Sequence, residues 1–162
     1  MGKINMAKFF YSIDKSGSAD VLSLQGVLDE DFSLDLGELN RRIGKQCVFN
    51  FRGVESINSC GVRTWINFLR DFEVDRDIIF QECSPEIVDQ IDMIPSFKGS
   101  ASIDSAYANY LCNSCGFEKS VLFTKDQMNN AQDSLESVSC DKCSNQMEIE
   151  SFAEDFISIF SE

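Results

Sequence analysis

The chain predicts an α/β fold: a mixed central sheet with helices packed against it, then a small cysteine-bearing β element and a C-terminal amphipathic helix. Three observations carry that expectation. Strand-like and helix-like apolar patterns alternate up to about residue 100. Two C-x-x-C pairs follow, CNSC and CDKC. The tail SFAEDFISIFSE is apolar on one side and polar on the other at helical spacing.

Lys8–Ile13 (KFFYSI) and Val21–Gly26 (VLSLQG) read as two strands joined by the turn Asp14–Asp20, DKSGSAD. Phe32, Leu36, Leu39 and Ile43 recur at helical spacing, and Gly44 is expected to close that helix as its C-terminal cap. Cys47–Phe51 (CVFNF) suits a buried strand. Gly61–Phe72 (GVRTWINFLRDF) is a second helix. Val62, Ile66 and Leu69 centre its apolar face, and Trp65, Phe68 and Phe72 widen it beyond the stripe of roughly 100° a surface helix needs. Ile78–Cys83 (IIFQEC) is another strand. Ser84, Pro85 and Glu86 then open a third helix as N-cap, first helical residue and first-turn acid, with Ile87, Val88 and Ile91 as its apolar face. Strands joined through helices are expected to be parallel and the opening hairpin antiparallel.

Ser100–Leu111 alternates as one long strand running into Cys112. Ser120–Thr124 and Met147–Ile149 are further strands, and Lys125–Ser137 is expected to be a loop, with room for a helical turn. In the tail, Phe152, Ala153, Phe156, Ile157, Ile159 and Phe160 face one way, and Ser151 and Glu154 have capping-box spacing. So short a helix must dock its apolar half on something, and the protein's own core is the expected partner. The expected division is residues 1–108 and 109–162, with no Pro- or Gly-rich linker between them, so the second part should be held rigidly.

Composition narrows the function. Acidic residues outnumber basic ones 27 to 14, for a net charge of -13, which is wrong for a surface that tracks phosphates; nucleic acid is not an expected partner. No apolar run is long enough to span a membrane. The opening MGKINMAKFFYSID has no apolar core of signal-peptide length, so the cytoplasm is the expected location. Histidine is absent, which removes the commonest general base. No phosphate-cradling glycine loop is visible, Asp29 and Glu30 read as solvated turn acids, and Cys60 lacks a histidine partner, so no enzyme is expected.

Of seven cysteines, Cys47 and Cys83 lie in apolar runs and read as buried thiols. Cys112, Cys115, Cys140 and Cys143 form the two pairs. Each pair makes a tight turn that aims two sulfurs at one point, and four thiolates complete a tetrahedral site with no open position. One structural Zn²⁺ is the expected cofactor. The 24-residue spacer is longer than usual, but closing it costs only about 0.3 kcal/mol more than an 18-residue loop. Gly116 suits the left-handed turn after the first pair; Ser144, after the second, lacks that freedom. Lys119 and Lys142 are placed to offset thiolate charge.

VFNFRGVESINSCGVRTWINFL carries a resemblance: an apolar strand, a loop ending in a small polar pair, a glycine, then an amphipathic helix. It resembles the STAS domain of anti-sigma factor antagonists, and the upstream LQGVLDEDF looks like that family's Gly-x-Leu-Asp turn. The likeness covers roughly residues 6–105. It implies a STAS-like sheet with packed helices and a protein partner, an anti-sigma factor kinase or another regulator. In the family, a serine after an aspartate at the start of the second helix is phosphorylated by a partner kinase, and the unmodified form binds the anti-sigma factor. Ser59 matches that serine, and Asn58 stands in place of the aspartate. The two C-x-x-C pairs resemble those of a subgroup of STAS-like bacterial proteins that carry a zinc ribbon.

Two readings of this helix start follow. In the first, Ser59 is a phosphoacceptor at a helix N-terminus, where free N–H groups favour an anion, and Asn58, Ser59, Cys60, Gly61, Trp65 and Phe68 form the partner surface. In the second, Ser59 or Asn58 is a plain N-cap and the aromatic residues are core. A phosphorylation-independent scaffold, or an accessory subunit of a larger complex such as a membrane transporter, is the alternative function.

Overall fold

The computed structural model describes residues 8–161. The first seven residues, read above as part of a chain start without a leader, and Glu162 lie outside them.

β1 (Phe10–Asp14) and β2 (Asp20–Leu28) form the expected antiparallel hairpin. α1 (Leu36–Arg42), β3 (Gln46–Ile57), α2 (Ser59–Phe72), β4 (Asp77–Gln81), α3 (Pro85–Met93), α4 (Pro95–Lys98) and β5 (Ser102–Ile103) follow. The five strands lie in sequence order, and every neighbouring pair after the first is parallel. Sequential parallel strands joined by right-handed crossovers put their helices on one face. Burial agrees: Leu22, Leu24, Phe49, Phe51, Ile78 and Phe80 are buried, whereas Asn50, Arg52 and Ile79 on the opposite side of the strands are half-buried or exposed.

The wide arc of α2 has a physical cause. Trp65 is fully buried, Phe68 nearly so, and the Trp65 indole N–H donates to the Phe97 carbonyl of α4 at 2.9 Å. Phe49 meets Trp65 edge-on at 5.0 Å, and Phe68 stacks on Phe72 at 4.9 Å. The helix is covered by the sheet on one side and by α4 on another, so Trp65 and Phe68 belong to the core and not to a partner surface. Full burial of such a side chain is worth about 1.5–3 kcal/mol.

α1 starts on Asp35, whose carboxylate accepts the Glu38 N–H at 2.9 Å; Phe32 lies ahead of the helix, buried. Gly44 is not its left-handed cap. The helix ends through Ile43 N–H to Leu39 O, and Gly44 N–H instead donates to Asp20 Oδ2 at 2.8 Å. Arg76, unremarkable in the sequence, joins the ends of two helices. Its guanidinium donates to Gly44 O, Ile43 O, Asn40 Oδ1 and Phe72 O and lies 4.1 Å above the Phe72 ring.

The stretch expected as one long strand is two. β5 ends the first sheet, Asp104 turns the chain, and β6 (Ser105–Leu111) is the middle strand of a second sheet, flanked by β7 (Glu118–Thr124) and β8 (Glu148–Ile149). The sheet change therefore precedes the expected boundary at 108/109, which falls inside β6. The two sheets are joined by backbone. Cys83 N–H donates to Ser105 O at 3.0 Å, Tyr107 N–H donates to Cys83 O at 2.9 Å, and one hydrophobic core runs through both.

Lys125–Ser137, expected as a loop, holds α5 (Lys125–Asn130) and a 3-10 turn (Gln132–Glu136). Thr124 and Gln127 close a reciprocal capping box at the start of α5. The last helix, α6 (Ala153–Ser158), buries Phe156, Ile159 and Phe160 but leaves Phe152 79% exposed. The Ser151–Glu154 capping box does not form, because the chain enters the helix at Phe152 with no side-chain cap. Ser84 occupies the N-cap position of α3, yet its buried hydroxyl makes no capping bond.

Candidate functional site

Four cysteines converge. The sulfurs of Cys112, Cys115, Cys140 and Cys143 all lie within 4.8 Å of one another and could hold a metal ion. Across the two pairs, Cys112 lies 3.5 Å from Cys143 and Cys115 lies 3.6 Å from Cys140. Those separations are far beyond a disulfide, and all four thiols are free. Sulfurs 2.3 Å from a common centre in a tetrahedron stand about 3.8 Å apart, so the observed spacing fits that geometry.

The two knuckles have the same backbone. Cys112 N–H donates to Phe117 O and Gly116 N–H to Cys112 O, each at 2.8 Å. Cys140 N–H donates to Asn145 O at 2.8 Å and Ser144 N–H to Cys140 O at 3.0 Å. The turn needs a left-handed residue at its fifth position. Gly116 adopts φ 80 without strain, and Ser144 is forced to φ 64. The second knuckle is therefore the equal of the first in geometry and carries a local strain the first does not. In each pair the leading cysteine is buried, whereas Cys115 is exposed and Cys143 half-buried.

Donors aim at the sulfurs. Lys142 N–H points to Cys140 Sγ and the Asn145 amide to Cys143 Sγ, both at 3.4 Å. The Cys115 backbone N–H, aided by that of Ser114 and opposed by desolvation, pulls the Cys112 thiol down to about 6. Cys115 moves the other way: the Phe117 backbone N–H pulls its thiol down, but desolvation and the neighbouring sulfurs outweigh it and push it up to about 12. Outside the cluster, Cys47 and Cys83 are buried in the core as packing groups, and burial pushes Cys47 up to about 12 and Cys83 higher still. The lysines expected to offset thiolate charge have partners that flank the knuckles. Lys119 bridges Ser139 O and Asp141 Oδ1, each at 2.9 Å, and the Lys142 ammonium lies 5.3 Å over the Phe117 ring. Tyr110, in the middle strand, donates to Leu135 O at 2.7 Å inside the core, and burial pushes its hydroxyl up to about 12.

The residues expected to form a partner surface separate into two groups. Asn58, Ser59 and Cys60 are exposed at the start of α2, beside the ends of β2 and β3; Gly61, Trp65 and Phe68 are buried. Asn58 is the cap: its Oδ1 accepts the Gly61 N–H at 2.9 Å and its Nδ2 donates to Glu30 Oε2 at 3.1 Å. Ser59 is the first helical residue, and its hydroxyl stands outside the cap. Gly61 allows the close approach of helix to sheet, since a Cβ there would lie 2.0 Å from Leu28 O. Glu30, read as a solvated turn acid, is the neighbour the sequence did not reveal. Its own backbone N–H and the Asn58 amide hold its carboxyl below the ordinary value.

Among the described residues, no helix is long and apolar enough to cross a membrane. No family model and no curated protein matches this chain.

Proposed function

We propose that the chain is a regulatory protein-binding module similar to the STAS-type anti-sigma factor antagonists, braced by one structural zinc ion. The observation that carries this reading is the exposed Asn58–Ser59–Cys60 turn at the start of α2, with Ser59 outside the cap. In open parallel sheets, ligands meet the carboxyl ends of the strands, and this turn leaves β3 there. The sheet order, with an antiparallel first strand and parallel successors, supports the same reading.

A phosphate on Ser59 would bring a charge of about -1.5 to -2 to the N-terminus of a 14-residue helix, which tolerates it. It would also stand next to Asn58, whose amide holds the Glu30 carboxylate. Modification would therefore loosen the Asn58–Glu30 bond and change the charge of the turn while the helix stays folded. Cys112, Cys115, Cys140 and Cys143 would hold the zinc; four thiolates leave no open position, so the ion's contribution is stability. The same reading puts the protein in the cytoplasm, where free thiols stay reduced.

The test is capture from native cells with wild type, Ser59→Ala and Ser59→Asp as baits, alongside mass mapping after incubation with candidate kinases and ATP. The switch predicts a partner held by wild type and Ser59→Ala and lost by Ser59→Asp, with phosphate on Ser59. The continuous core beneath both sheets favours a second reading, a phosphorylation-independent scaffold or accessory subunit. Equal capture by all three baits, without phosphate on Ser59, selects it.

A further inference from the structure

Between α3 and the segment entering α6 lies a groove of about 390 Å³. Val88 and Phe156 line it as buried apolar residues, and Met93 and Phe152 stand beside them 65% and 79% exposed. Two large apolar side chains left in water on either side of one groove are not explained by packing, since neither touches the core fully. Four carboxylates rim the same groove: Asp89, Asp92, Glu150 and Asp155. The ion pairs among the described residues involve none of them. Burial, with the Glu86 and Asp92 carboxylates adding to it, pushes the Asp89 carboxyl above its ordinary value.

From this we infer that the α3–α6 groove is a docking site for a cationic amphipathic segment of another protein, an apolar anchor between Met93 and Phe152 with Lys or Arg against the rim. Charge decides among occupants. A second copy, related by a two-fold axis, would set one acidic rim against another. An anionic membrane is repelled in the same way, and nucleic acid more so. A basic helix with apolar residues at i, i+3, i+4 and i+7 matches both the apolar floor and the acidic edge. The walls are firm, because Phe156, Ile159 and Phe160 fix α6 in the core. This surface shares no residue with the Asn58–Cys60 turn, so either site can fail without the other.

The test uses the full zinc-loaded chain and two fluorescent helical peptides, one of leucine and lysine in that spacing and one of leucine and glutamate. Fluorescence anisotropy gives the affinity, and amide shifts give the site. The leucine–lysine peptide should bind saturably, shift the amides around Met93 and Phe152, and exceed its glutamate counterpart by about tenfold or more. Phe152→Ala, at an exposed position that leaves the fold intact, should weaken it about tenfold. Asp92→Asn with Asp155→Asn should weaken it about threefold and flatten its salt dependence.

Several results overturn the proposal. One is no saturable binding up to about 1 mM; another is equal affinity for the two peptides. Binding unchanged by Phe152→Ala, or shifts scattered over the acidic surface, would mean unspecific charge attraction. Sedimentation with neutral phosphatidylcholine vesicles that Phe152→Ala abolishes would reassign the groove to a membrane. A dimer by light scattering that Phe152→Ala dissolves would reassign it to a second copy.

Discussion

The Asn58 amide donates to Glu30 Oε2 at 3.1 Å, tying the turn after β2 to the start of α2. The same side chain caps the helix through Gly61 N–H at 2.9 Å. One residue thus sets both the helix start and the position of the Glu30 carboxylate. Asn58→Ala should cost about 1 kcal/mol, within the range of lost N-caps, by denaturant unfolding. Asn58→Asp keeps the cap acceptor but sets two carboxylates against each other. It should fall between wild type and Asn58→Ala, and recover toward wild type when Glu30→Gln is added.

Gly61→Ala should be far more damaging than an ordinary helix substitution. The added methyl would meet Leu28 O at 2.0 Å, so α2 must lift from β2. A loss of about 3 kcal/mol or more is expected. An equal change at exposed Asn67, as Asn67→Ala, should be neutral or slightly stabilising, and the pair of melts checks both.

Mass spectrometry under native conditions should find one zinc per chain, and none in Cys112→Ser with Cys140→Ser. Structural zinc sites contribute roughly 10–16 kcal/mol of apparent binding energy. Chelation should therefore lower hydrogen-exchange protection in β6, β7 and β8 and in the first sheet together.

Ser144→Gly should stabilise the metal-bound protein by about 0.5–1 kcal/mol, because glycine relieves the left-handed strain at φ 64 while adding some freedom to the unfolded chain. Gly116→Ser should have the opposite sign. Thermal melts of the two variants against wild type decide this.

Asp20 gives a pH signature. The Gly44 N–H, and then the Lys15 ammonium, hold its carboxyl below the ordinary 3.8. A depressed carboxyl stabilises the fold above its unfolded value and loses that contribution as the pH falls through the folded one. Asp20→Asn should therefore be less stable than wild type near neutrality. The gap should close as the pH drops from about 4 downward, as read from unfolding midpoints at a series of pH values.

What could be read from the chain, and what could not, follows from the range of each interaction. The cysteine cluster was legible because ligand type and a two-residue spacing together encode a knuckle. The alternation of strand and helix was legible because each element carries its own period. Between the two readings of Trp65 the sequence could not choose, because its coverage depends on α4, four residues with no periodic signal. Asp104 broke an alternating run because its N–H serves Phe80 in the first sheet and its C=O serves Lys125 at the start of α5, just past the end of β7. α5 was legible only as a helical turn inside a polar stretch, for want of an apolar stripe, although Thr124 and Gln127 already had capping-box spacing. Arg76 could not be foreseen, since most of its acceptors are more than 30 positions away.

The backbone bridge at Cys83 and Ala106 makes the cysteine-bearing end inseparable from the rest. A truncation before Ser105 would strip a strand neighbour from Cys83 and uncover α3 where α6 now rests. Heating should accordingly give a single cooperative transition in calorimetry, and the loss of metal at one end would be felt as reduced heat resistance throughout the molecule.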